Sequence, residues 1–108
     1  MYLKFCIKFI FCFLIPIKLA FAEIVDINNE QIIELSNSNI PIVDVRRSSE
    51  WKQTGVIPNS ILLTFFDKEG DYNYYQWYEK LRLDIDESMP IILICRSGKR
   101  SKIIAQMM

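Results

Sequence analysis

Histidine is absent from all 108 residues. A cysteine or serine nucleophile would therefore have no imidazole to activate it, and Cys–His catalysis is excluded outright. Glycine is scarce, with only Gly55, Gly70 and Gly98. The chain also lacks low-complexity tracts and internal repeats, and 51% of its residues are hydrophobic. Together with the length, this predicts one globular domain rather than disorder. The apolar stretch Phe9 to Ile17, bounded by Lys8 and Lys18, falls far short of the roughly 20 residues a bilayer span needs.

Acidic residues are missing from one region. Residues 1–22, MYLKFCIKFIFCFLIPIKLAFA, hold three Lys, no Asp or Glu, and an apolar centre that closes on Ala20-Phe21-Ala22. A cationic start, apolar middle and small-x-small end are the pattern of a secretory signal peptide cut after Ala22. The expected destination is the periplasm or the exterior, with an uncleaved membrane anchor as the alternative. Residues 23–108 then carry 10 basic against 13 acidic side chains, a net charge of −3. No basic surface suited to nucleic acid is present. Cys6 and Cys12 fall in the leader, so the mature chain keeps one thiol, Cys95, and no intramolecular disulfide is possible.

The mature chain alternates strand and helix patterns. Glu23–Ile27 reads as a short edge strand. Asn28 with Gln31 three residues on forms a capping box ahead of a helix with Ile32, Ile33 and Leu35 on its apolar face. Ile40–Val45 and Ser60–Thr64 read as strands, with one helical turn over Ser48–Gln53 between them. Tyr74, Trp77, Tyr78 and Leu81 recur at i, i+3, i+4 and i+7, the stripe of a core-packed helix over Tyr72–Leu83. Ile91–Ile94 is the most hydrophobic strand, and Lys99–Met108 continues as a helix. Such alternation predicts an α/β domain with a mostly parallel sheet.

The chemistry concentrates in IILICRSGKRS, Ile91 to Ser101. Ligands of open parallel sheets bind at the carboxyl ends of strands, where Cys95 stands. Gly98 allows backbone N–H groups to converge as an anion-binding nest, and the following helix adds the positive end of its dipole. Arg96, Lys99 and Arg100 add formal charge. Each feature favours thiolate over thiol. The bland alternative is a small buried Cys at a strand end followed by an ordinary polar turn. Redox sensing is a further option, without a second Cys to resolve a sulfenic acid.

Cys95-Arg96-Ser97-Gly98-Lys99-Arg100 resembles the six-residue active-site loop of rhodanese-type sulfurtransferases, with Cys first, Gly fourth and a basic residue last. Upstream, Ile42-Val43-Asp44-Val45-Arg46 with Glu50-Trp51 is similar to that family's Asp-Val-Arg strand and Glu-aromatic pair. Gly55-Val56-Ile57-Pro58-Asn59-Ser60-Ile61 resembles its Gly-His-Ile-Pro-Gly-Ala stretch, with Val56 in place of His. Related phosphatases use Cys-x5-Arg; here that register meets Ser101, and Arg100 gives the tighter Cys-x4-Arg.

The resemblance implies a rhodanese-like parallel sheet flanked by helices over residues 23–108. It also implies a persulfide on Cys95 and a substrate cradle formed by Arg96, Ser97, Gly98, Lys99 and Arg100. A small anionic sulfur donor such as thiosulfate and a thiol or cyanide acceptor are the implied partners, with no metal or cofactor. Asp44, Arg46 and Glu50 are expected to form a structural brace, and Trp51 to lie in the core. The family pattern continues beyond the active-site helix into another strand, a Gly-Gly turn and a closing helix. The chain is therefore expected to lack the last strand and helix and to expose a sheet edge, which a protein partner or dimer would cover. A catalytically silent binding module or truncated remnant is the alternative function.

Overall fold

The computed structural model describes residues 1–6 and 22–108; most of the expected leader, 7–21, lies outside the described residues. Strands β1 (Tyr2–Cys6) and β2 (Ala22–Asp26) precede helix α1 (Asn29–Ser36) and strand β3 (Ile42–Asp44). Helix α2 (Ser48–Thr54), strand β4 (Ile61–Leu62), helix α3 (Tyr74–Arg82), strand β5 (Ile91–Ile94) and helix α4 (Lys99–Met107) follow. Among the described residues the five strands form one sheet in the order β2-β1-β5-β3-β4. The α/β architecture of a rhodanese-like fold is present: β5, β3 and β4 run parallel, with the four helices around them.

Local chemistry explains the element ends. At α1 the Asn28 side chain accepts the Gln31 N–H and Gln31 Oε1 accepts the Asn28 N–H, both at 2.9 Å, closing the capping box. Helix α2 runs nearly two turns rather than one and ends at Gly55, whose φ of +79° few other residues adopt at low strain. In α3 the stripe faces inward: Trp77 and Leu81 are buried, and the Trp77 indole N–H donates to the Leu63 carbonyl at 3.0 Å. That bond fixes α3 against the chain leaving β4. Only two residues of the strand expected over Ser60–Thr64 pair as a strand.

The sheet buries both faces. Alternate residues of β5 and its extension divide between two cores. Ile91, Leu93 and Cys95 join Val43, Val45, Trp77, Leu81 and Ile104 on one side. Ile92 and Ile94 meet Ile27, Ile32 and Ile42 on the other. With every side chain of β5 buried, each contributes on the order of 1.5–3 kcal/mol of transfer free energy. Cys95 thus directly follows a strand buried along its whole length.

One expectation needs correction. Trp51 is only half-buried, because α2 is a short peripheral helix with no fully buried residue. Strand β5 is flanked by β3 on one side and by β1 on the other, antiparallel, in the register Tyr2↔Leu93, Leu3↔Ile92 and Lys4↔Ile91. A buried strand cannot leave its backbone polar groups unpaired without penalty, and β1 supplies the partner. Among the described residues, no helix is long and apolar enough to cross a membrane.

Candidate active site

The loop after β5 closes around the Cys95 sulfur. Gly98 sits in the left-handed region, φ +87° and ψ −10°, at the N-cap of α4. That conformation turns its N–H onto Cys95 Sγ at 3.1 Å. The Ser101 N–H reaches the same sulfur at 3.4 Å, and the Ser101 hydroxyl lies 3.4 Å from it while donating to the Gly98 carbonyl at 3.1 Å. Cys95 and Ser101 are both buried, at 5% and 0% exposure, so these contacts act without competing water.

Burial of Cys95 pushes the thiol pKa up, but the donors outweigh it: the Ser101 hydroxyl and N–H, with the Gly98 and Ser97 N–H groups, bring it below the ordinary value. Of the features expected to favour thiolate, the converging N–H groups are the ones that act on the sulfur. Fixed dipoles of the loop lower this thiol, as in an oxyanion hole.

The cations lie further out. Arg96 and Lys99 are exposed. Arg100 is held by Glu50 in a two-pronged pair, Nη2–Oε1 2.6 Å and Nη1–Oε2 2.8 Å. Glu50 Oε2 also accepts the Arg47 N–H at 2.9 Å, so one carboxylate joins the start of α2 to the first turn of α4. Arg100, first among these partners, holds the Glu50 carboxyl down at about 2. Asp44 and Arg46 make their own pair at 2.8 Å, and the Arg46 guanidinium continues to the Gly55 carbonyl at 2.8 Å. The expected Asp44–Arg46–Glu50 group is thus divided between two ion pairs, with Asp44–Arg46 steadying the turn after α2 and Glu50 reaching the cysteine loop. Lys99 and Arg100 both stand at the positive end of the α4 dipole, an arrangement that favours a nearby anion. A cavity of about 430 Å³ adjoins them, lined also by Arg47, Phe66, Lys68 and Ile103 and by the acidic residues Asp67 and Glu69.

Ser101 is the site residue that sequence reasoning passed over. It served there only to exclude the longer phosphatase register, yet Ser101, Ile104 and Ala105 share the buried face of α4. The i, i+3, i+4 spacing was the available signal. Among the described residues, no group of three or more Cys, Asp or Glu side chains is placed to hold a metal ion.

Residues 28–108 match the family model described as Rhodanese-like domain. The chain is also similar to a rhodanese domain-containing protein, CG4456, of Drosophila melanogaster, at 36% identity over 75 residues, covering 66% of this chain and 68% of the relative. No solved structure matches. The family match takes in every element from α1 to α4, including the cysteine loop and the ion pairs that frame it. The chain belongs to the rhodanese-like domain family.

Proposed function

We propose that this domain is a thiosulfate-type sulfurtransferase that carries sulfane sulfur as a Cys95 persulfide. Its family lies in the sulfurtransferase superfamily, whose domains include inactive ones. The observation that carries the proposal is the ring of donors, Gly98 N–H, Ser101 N–H and Ser101 hydroxyl, on a buried thiol of lowered pKa.

In the first half-reaction the Cys95 thiolate attacks the outer sulfur of thiosulfate. The S–S bond of the donor breaks, sulfite leaves with the bonding pair, and a Cys95 persulfide anion remains. An acceptor thiolate or cyanide then attacks the outer sulfur. It leaves as a new persulfide or as thiocyanate, and the Cys95 thiolate returns. The loop N–H groups stabilise negative charge on sulfur at both stages. The exposed Arg96 and Lys99 draw the anionic donor inward.

Treating the full chain with thiosulfate should add one sulfur atom to the peptide carrying Cys95, and cyanide should remove it. Cys95→Ser should abolish both transfers with an unchanged thermal melt; transfer persisting in that variant rejects the proposal. The low exposure of Cys95 favours a second reading, a catalytically silent binding module. It predicts no added sulfur in the parent chain.

A further inference from the structure

The N-terminal strand reaches the cysteine loop from outside it. Beyond the β1–β5 register, a Cβ placed on Gly98 would lie 2.8 Å from the Met1 backbone nitrogen and 3.4 Å from Tyr2 Cε2. Met1 is itself anchored, because its carbonyl accepts the Ile27 N–H at 2.9 Å. Tyr2 packs on the same core cluster that contains Cys95. Met1 and Tyr2 therefore close the outer side of the residue that turns its N–H onto the sulfur.

The backbone pairing leads to the same place. The Ile92 N–H points to β3, bonding the Pro41 carbonyl at 2.9 Å. Strand alternation then turns Ile91 and Leu93 toward β1, opposite Lys4 and Tyr2. Losing β1 would leave those buried groups unpaired two residues before Cys95, and would remove the surface against which Gly98 rests.

We propose that β1 is a positioning element of the cysteine loop: paired with β5 and seated on Gly98, it holds the backbone in the conformation that stabilises the Cys95 thiolate. On this proposal, a chain without residues 1–22 would carry an ordinary thiol at Cys95. The inference rests on Cys95 as the reactive group and is independent of the donor and acceptor in the sulfur-transfer reading.

The test measures the thiolate and not sulfur transfer, so either idea can fail alone. In the full chain, Lys4→Pro removes a strand N–H opposite Ile91 and blocks pairing, while Lys4→Thr keeps a residue suited to strands. Iodoacetamide alkylation is followed against pH on the peptide carrying Cys95, which separates it from Cys6 and Cys12, alongside hydrogen exchange at Leu93 and in α3. Lys4→Pro should expose the Leu93 amide, keep α3 protected and raise the alkylation midpoint to that of an ordinary thiol. At a pH below both midpoints the rate should fall about tenfold per unit of rise, with the thiolate fraction. Lys4→Thr should match the parent. A freely exchanging Leu93 with an unmoved midpoint overturns the proposal. Should Lys4→Pro also unprotect α3, Tyr2→Ala decides, since it trims only the side chain beside Gly98: a raised midpoint supports the proposal and an unchanged one overturns it.

Discussion

The two flanks of β5 hold the cysteine loop by different means. On the β3 side the support is parallel, encoded within the family match, and electrostatic at its outer end, where Glu50 grips Arg100. On the β1 side it is antiparallel, drawn from the opposite end of the chain, and steric, with Met1 and Tyr2 against Gly98. The β3 flank fixes where α4 starts; the β1 flank closes the turn from which Gly98 donates to sulfur. Placing a helix and polarising a thiol are thus separable tasks.

Substitutions can break that separation, and the largest effect is expected at Gly98. Gly98→Ala forces a side chain into a left-handed conformation and into the Met1 backbone at 2.8 Å. The strain is about 1–3 kcal/mol, read as a lower thermal midpoint, and the Cys95 alkylation midpoint should rise with it. A variant that melts lower while its thiol titrates as in the parent would show that the β1 flank supports stability alone.

Glu50→Gln should be milder and should act on the other flank. It leaves Arg100 partly buried without its counter-charge, for a loss on the order of 1 kcal/mol at neutral pH. The pH dependence has a definite sign. The folded state holds Glu50 at about 2, below its ordinary 4.5, so the contribution is complete above the ordinary value and disappears as pH falls toward 2. The parent's acid unfolding over that window should be less steep in Glu50→Gln, with the Cys95 alkylation profile nearly unmoved. A large shift in that profile would merge the two flanks into one unit.

Ser101→Ala should have the smallest effect on stability, about 1 kcal/mol for one hydroxyl. Its diagnostic is the thiol, whose alkylation midpoint should rise because one of its donors is gone while the backbone N–H groups of Ser97, Gly98 and Ser101 remain. An unmoved midpoint would assign the lowering to the backbone alone.

Legibility in the sequence followed distance along the chain. The capping box of α1, the apolar β5 and the stripe of α3 are local patterns, and the structure contains all three. The cysteine loop was legible for the same reason, since its Gly lies three residues from its Cys. Glu50 and Arg100 each drew attention, but as members of separate motifs; they are fifty residues apart, and no periodicity links them. Strand β1 was the hardest to see. Its residues read as the start of a leader, and the strand partner that pairs with them lies some ninety residues later in the chain.

The Ser101 hydroxyl has one hydrogen and two acceptors within reach, the Gly98 carbonyl and the Cys95 sulfur. While Cys95 keeps its proton, the hydroxyl can remain on the carbonyl and receive the S–H. Once the proton leaves, the hydroxyl can rotate to the sulfur. The carbonyl it abandons is not orphaned, because the Lys102 N–H already bonds it at 3.0 Å. The site thus stores its answer to ionisation in the rotation of one bond, whichever way the charge on the sulfur changes.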